Sequence, residues 1–449
     1  MSGTTTSPGG ATGAAAPIPP RKVLLAAFAS TFGWALDLFD LFLLLYVAPI
    51  VGRLFFPSHT PTLSLAAVYA SFAVALLVRP LGSAVFGAYA DRKGRKLALM
   101  VAMVGVGLVT AAFGVLPTIE QVGLLAPVLF LVLRVVQGLF VGGIVASTHT
   151  IGTESIPPRY RGLVSGLVGG AGAGIGALMA SFAYFVLSGI FPDAQFDQWG
   201  WRFMFFTGLI STAFGLIMFK FLEESPVWKQ LQEAKASGKV AAAPKVSPLR
   251  RVFGREYRKV MLVNLLITFG GGATYYLTSG YLPTLLNLVA KVPHGESSHI
   301  LMWGSVAVIV SALFFGWLSD KVGRKPSFIV AGLAALVGLP LLFHGVSGAA
   351  GSVDTVLLYA VAISLIGGAA IAPIMIFLNE RFSTDLRASG TGLSWNIGFA
   401  LGGTMPTFVS LASATPAQIP TVLAVFTGVI GLIYLIGAVV IPETRGRTL

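Results

Sequence analysis

The chain has 449 residues, 55% of them hydrophobic and 10% charged, with a net charge of +13 and no cysteine. A soluble protein carries about 25% charged residues, so most of this chain is kept from water, and no disulfide framework or thiolate metal site can form. Its histidines, His59, His149, His294, His299 and His344, are too scattered for a metal cluster, and the basic excess is segregated by topology, unlike that of a nucleic-acid-binding protein.

Residues 1–21 are rich in Gly, Ala, Thr and Pro and have neither a basic start nor an apolar run. They read as a disordered tail and not as a cleaved signal. Apolar stretches then follow one another, each long enough to cross a ~30 Å hydrocarbon core. Lipid offers the backbone no hydrogen-bond partner, so these stretches are expected to be helical. A first set is predicted at 23–52, 64–90, 97–117, 124–150, 162–190 and 201–222. A polar stretch, 223–258, carries Lys229, Lys235, Lys239, Lys245, Arg250, Arg251 and Arg255 and reads as a cytoplasmic linker with one or two short surface helices. A second set is predicted at 259–290, 299–319, 326–346, 354–379, 388–412 and 418–441. The expected organisation is a six-helix bundle over 22–222, the linker, a second bundle over 259–441 and a cytoplasmic tail over 442–449.

Charge orients this layout. With the N-terminus in the cytoplasm, nearly all Lys and Arg residues fall in cytoplasmic loops, tails or helix ends, as the positive-inside rule asks. Arg53, Arg202 and Lys291 fall at the outer face, and Arg79 and Arg134 lie deep within spans. Both termini are therefore expected inside, with the chain crossing an inner membrane many times.

The two sets repeat. Gly87-Ala-Tyr-Ala-Asp91-Arg92-Lys-Gly94-Arg95-Lys96 follows the second span, and Gly316-Trp-Leu-Ser-Asp320-Lys321-Val-Gly323-Arg324-Lys325 follows the eighth. Glu154, Arg161, Gly166 and Leu167 recur as Glu380, Arg387, Gly392 and Leu393 at nearly the same offset. Parallel six-span halves are a known transporter plan.

With its Gly-x-x-x-Asp-Arg-x-Gly-Arg-Lys loop in both halves, the chain resembles the major facilitator superfamily from about residue 22 to its end. Within it, the chain is similar to the metabolite:proton and sialate:proton symporters of small organic acids and osmolytes. That likeness rests on Trp34-Ala-Leu-Asp37-Leu-Phe-Asp40, Arg79-Pro80-Leu-Gly82, Arg134-Val-Val-Gln137-Gly138, Gly200-Trp201-Arg202 and Pro442-Glu443-Thr444-Arg445-Gly446. The resemblance implies an all-α fold of twelve transmembrane helices in two six-helix bundles. It also implies that Asp91, with Arg92 and Arg95, pairs with a neighbouring helix end and latches the outward-open state. Asp320 and Arg324 are the counterparts of Asp91 and Arg95 in the second half, and Glu154, whose counterpart is Glu380, is expected to join the same gate as a partner of the basic loop.

Asp37 and Asp40 are the acids placed near mid-membrane, where charge is costly and carries function. Three residues apart, they share a helical face. Close carboxylates repel and burial disfavours charge, so one of the pair is expected to take up and release a proton. The other reading is a pair of fixed ions holding Arg79 or Arg134. Both arginines present a fork that fits a carboxylate, which makes them candidates for an anionic substrate or for control of the aspartates; either could equally be a fixed interhelical pair. His149, in Ser147-Thr-His149-Thr-Ile-Gly-Thr153-Glu154, suits a proton relay or a plain hydrogen bond in the bundle.

In the second half, span seven carries Asn264, Thr268, Tyr275, Tyr276 and Tyr281 beside Gly270-Gly271-Gly272. The glycines are expected to break or bend the helix as at transporter binding sites, or else to let helices pack closely. Asn264, Tyr275 and Tyr276 are candidate substrate contacts, with Asn379, Trp395 and Asn396 behind them. Gly169-Gly-Ala-Gly-Ala-Gly174-Ile-Gly176 in span five reads as a close-packing face. It lacks the proline that drug/proton antiporters of the superfamily carry there.

Two buried arginines for an anion and two buried aspartates for a proton give the leading expectation. This is a monomeric carrier, not an enzyme, that takes up a small organic anion together with a proton, a monocarboxylate such as lactate. It needs no cofactor and no metal. A symporter of a zwitterionic osmolyte such as betaine or proline is the first alternative, and a proton-driven exporter the second. A membrane sensor is disfavoured by the lack of an appended soluble domain.

Overall fold

The computed structural model describes residues 20–154, 160–191, 193–221, 251–348, 352–383 and 386–446. Among these residues the regular elements are all helical, as a lipid-buried backbone requires. In chain order the spans are α1 (Pro20–Tyr46, continued after a 60° bend by Ala48–Phe55), α2 (Pro61–Lys93), α3 (Arg95–Phe113), α4 (Leu125–Glu154), α5 (Arg161–Ile190) and α6 (Asp193–Ile217). The second half follows as α7 (Arg258–Val289), α8 (His294–Val322), α9 (Arg324–Gly348), α10 (Val353–Asn379), α11 (Arg387–Gly402, continued by Met405–Ala412) and α12 (Pro416–Val440). The result is two six-helix bundles. α6 begins several residues before its expected start, because Asp193–Gly200 already winds into the helix.

Local signals set these ends. Thr60 caps α2, its hydroxyl accepting from the Leu63 N–H with Pro61 at the first helical position. The turns from α2 into α3 and from α8 into α9 each pass through a glycine in the left-handed region, Gly94 at φ 103° and Gly323 at φ 110°. These are the equivalent glycines of the repeated loop, and a side chain at either would strain the turn.

Small residues let backbones meet. A Cβ on Gly138 would lie 2.4 Å from the Ala75 carbonyl oxygen, and one on Gly142 would lie 2.2 Å from that of Arg79, so α4 lies against α2. On α5, Gly166 and Gly174 face Ala312 and Ile309 of α8 in the other half, while Gly172 and Gly176 face Trp34 and Ala35 of α1. The glycine run of span five is therefore a two-sided packing surface, one side on the other half and one side on α1 of its own half.

The triglycine of α7 does not break its helix. Gly270 packs on Tyr434 of α12, Gly271 on Ile374 of α10, and Gly272 on Phe399 of α11. The helix runs unbroken through Tyr275 and widens only afterwards, over Tyr276–Gly280. Of the linker, the basic residues from Lys229 to Arg250 lie outside the described residues. Its end folds back, with Val252 buried against Met261, Phe382 and Leu386.

Candidate functional site

Three helices of the first half surround a small cavity. α1 contributes Asp37, Asp40 and Leu41, α2 Phe72, Ala75 and Arg79, and α4 Arg134, Gln137, Gly138 and Val141. Its free space, about 10 Å³, is close to what a single water needs. The two carboxylates differ in their surroundings. Asp37 accepts from Arg79 Nη1 and Nη2 at 3.3 Å each, a buried two-point ion pair. Asp40 is 2% exposed, yet neither of its oxygens accepts a hydrogen bond among the described residues. The hydroxyls of Thr110 and Ser211 neighbour it outside hydrogen-bond geometry.

Arg134 is 1% exposed. Its guanidinium lies 4.5 Å from the Phe113 ring centroid and 5.4 Å from that of Phe130, contacts that lower the cost of burying a cation. Nη1 donates to Gln137 Oε1 at 2.6 Å, and Gln137 donates in turn to Thr110 at 2.8 Å. Nε and Nη2 of Arg134 have no partner among the described residues.

Aromatic rings fill the interface between the halves next to this cavity. Trp395 of α11 stacks on Phe399 at 4.1 Å and meets Trp34 of α1 edge-on at 5.8 Å. Tyr275 meets Phe42 of α1 at 6.0 Å, and Tyr276 meets Phe72 of α2 at 5.3 Å. Phe72 also walls the cavity, so the two regions share a side chain. The Tyr275 hydroxyl is buried without a partner. A second small cavity between the halves is lined by Tyr46, Ser279, Ser305 and Ser364.

Each end of the molecule is also bridged. At the end bearing the repeated loops, Asp320 of α8 accepts from the backbone N–H groups of Gly162 and Leu163 at 2.8 and 2.9 Å. A carboxylate thus caps the N-terminus of α5 in the other half, where the helix dipole favours it. Arg324 ties Asp320 at 2.7 Å to Glu380 at 3.1 Å. Glu443 accepts from the Arg324 and Lys325 N–H groups, and the Thr444 hydroxyl donates to Glu380 at 2.6 Å.

A family model described as Major Facilitator Superfamily matches residues 23–405. The chain belongs to that superfamily. It is 31% identical to the inner membrane metabolite transport protein YhjE of Escherichia coli, over 96% of this chain and 97% of that one. It is 29% identical to the proline/betaine transporter of E. coli, over 96% and 86%. The xylose transporter XylE from E. coli, in a partially occluded inward-open conformation, shares the fold with a TM-score of 0.69 at 18% identity, covering 95% of this chain and 99% of that one. The protein is a multi-pass membrane transporter and not an enzyme.

In this facilitator Asp37, Asp40, Arg79 and Arg134 meet at one cavity, and Tyr275, Tyr276 and Trp395 lie at the interface beside it. The other polar candidates are engaged within the second half. Asn264 donates weakly to Ser394 at 3.5 Å while its buried Oδ1 has no partner among the described residues, Asn379 accepts from Thr391 at 2.9 Å, and Asn396 donates to its own helix at the Gly392 carbonyl. Asp320, Arg324 and Glu380 cluster at one end. The side chains of Asp91, Arg92, Arg95, His149 and Glu154 lie outside the described residues, though their backbones are helical. Sequence reasoning left out Phe42, Phe72, Phe399, Gln137 and Tyr46. Gln137 stood inside a quoted motif, whereas nothing distinguished the three phenylalanines from those that face lipid or fill the core.

Proposed function

We propose that this facilitator takes up a zwitterionic osmolyte of the betaine or proline kind together with a proton. The observation that carries this reading is the cluster of aromatic rings between the halves, sharing Phe72 with a cavity that holds the free N–H groups of Arg134. Ring faces attract a quaternary or secondary ammonium, and a guanidinium fork attracts a carboxylate. A monocarboxylate such as lactate would use only the second of these. The proline/betaine name of one relative supports the same choice over lactate.

Asp37 is committed to Arg79. Asp40, which makes no hydrogen bond and no ion pair among the described residues, is the carboxylate free to gain and lose a proton. Tyr276 lies close enough to feel the charges of Asp37 and Arg79, which brings the proton site next to the substrate site. The bundles rock about the α5–α8 glycine contacts, exposing the interface to one side at a time. A ligand shifts that equilibrium only by its differential affinity for the two states. The basic loops face the cytoplasm of an inner membrane with both termini, and one chain is the working unit. Uptake of labelled betaine, proline and lactate into proteoliposomes under an inside-alkaline gradient tests the reading. Betaine or proline should accumulate; accumulation of lactate alone would overturn it.

A further inference from the structure

At the end away from the repeated loops, the halves are joined by a chain of polar side chains that the transport scheme above does not use. His294, the first residue of α8, is 7% exposed. Its Nε2 lies 3.1 Å from Asp197 Oδ1 at the start of α6, and its Nδ1 is hydrogen-bonded to the Tyr184 hydroxyl of α5. Asp197 Oδ2 in turn accepts from Arg53 Nη2 at 2.7 Å, at the end of the bent α1. Arg53, Asp197 and Tyr184 belong to the first half and His294 to the second. One imidazole therefore bridges the bundles at this end. The seam is also crossed by Tyr69 of α2, stacked on Tyr281 of α7 at 5.0 Å and hydrogen-bonded to Thr284 at 2.8 Å.

We propose that Asp197 and His294 form the gate at this end, and that protonation of the imidazole tightens it. A neutral ring satisfies both contacts, with Nε2–H donating to Asp197 and Nδ1 accepting from Tyr184. A cationic ring turns the first contact into a charge-assisted bond and reverses the second, Nδ1–H then donating to the Tyr184 oxygen. Histidine is the side chain that changes charge in the range where the two sides of a membrane differ. The titratable groups in contact with His294 are Asp197 from α6 and Tyr184 from α5; Arg53 from α1 binds Asp197, Asp193 from α6 acts on Tyr184, and Lys291, Glu296 and His299 lie within five residues of it in the chain. Arg53 shares Asp197 and weakens the added attraction without removing it, since it binds the other oxygen. By the orientation proposed above this is the outer gate, so external acid would favour its closed form and the release of cargo inward.

The test uses the absence of native cysteine. Spin labels on cysteines at Ser58 and Ala414, exposed positions of the first and second halves at this end, report its separation in detergent. Both ends then see one pH, so the readout does not depend on orientation. An Asp40→Asn background removes the pH response of the proposed proton site. Lowering the pH from about 8 to about 5.5 should reduce the open fraction about fivefold, the difference between a neutral and a charged hydrogen bond. His294→Gln and Asp197→Asn should hold the open fraction high at every pH. Tyr184→Phe, which keeps the ring and loses only the hydroxyl, should raise it at all pH values while keeping the slope. A pH slope that persists in His294→Gln, or variants that leave the separation at its wild-type value, would overturn the proposal.

Discussion

The Arg79 guanidinium meets the Asp37 carboxylate at two points, Nη1 to Oδ2 and Nη2 to Oδ1, both at 3.3 Å and both within the first bundle. Taking one partner from a buried pair leaves an uncompensated ion and costs about 3–5 kcal/mol. Asp37→Asn should therefore lower the thermal unfolding temperature in detergent, and adding Arg79→Gln should restore part of the loss. An Asp37→Asn protein as stable as wild type would mean the pair holds nothing together.

The ring cluster predicts a selective loss of affinity. Trp395→Ala should weaken betaine binding about tenfold or more, the scale of a desolvated cation–π contact, and Trp395→Phe should recover much of it. Lactate, lacking a cation, should bind either variant as it binds wild type. Calorimetric titration of the purified carrier measures both. Equal weakening of the two ligands would point to a packing role for Trp395.

Asp320 holds the end of α5 through two backbone N–H groups. Asp320→Asn keeps an acceptor but loses the charge that the helix dipole and Arg324 favour. The basic end should open about fivefold more often, since such a charge at a helix N-terminus is worth up to about 1 kcal/mol. Alkylation of a cysteine placed at Ser165 reads this opening directly. An unchanged labelling rate would show that the contact does not latch the end.

Glu443 lies just beyond α12, outside the membrane spans. Burial pushes its carboxyl up, but the N–H groups of Arg445, Arg324, Lys325 and Thr444 more than offset this, leaving it below the ordinary glutamate range. A group with a depressed folded value stabilises the fold at pH above its unfolded value, near ~4.3, and loses that contribution as pH falls through the folded value. Wild type should thus lose stability below about pH 4.3 more steeply than Glu443→Gln. Thermal unfolding across that range checks the difference, and parallel curves would remove Glu443 from the account.

The sequence made the fold legible because membrane helices announce themselves by length and apolarity, and because the repeated Asp91 and Asp320 loops expose the two halves. The residues that line the first-half cavity, Asp37, Asp40, Arg79 and Arg134, were legible for a related reason: an ionisable side chain in a span stands out against its neighbours. The aromatic interface beside it was not. Asn264, Asn379 and Asn396 stand out as polar groups in apolar helices, and each has a hydrogen bond to its own bundle. Nothing in the sequence separates Phe42, Phe72 and Phe399 from the many phenylalanines that face lipid or fill the core, and their place at the interface depends on the docking of one half on the other. The triglycine of α7 could be read as a hinge or as a packing face, and the choice depended on Tyr434 and Phe399 from distant helices. His294 and Asp197 are far apart in sequence and meet only across the seam.

The measurement that bears most directly on the coupling scheme is the current that betaine evokes when proteoliposomes adsorbed on a sensor are switched from buffer to betaine. Betaine is net neutral, so a current reports the proton that travels with it. Wild type should give an inward positive current that grows with external acidity, and Asp40→Asn should give none while still exchanging labelled for unlabelled betaine. A wild-type-sized current from Asp40→Asn would contradict the scheme and move the proton to another group.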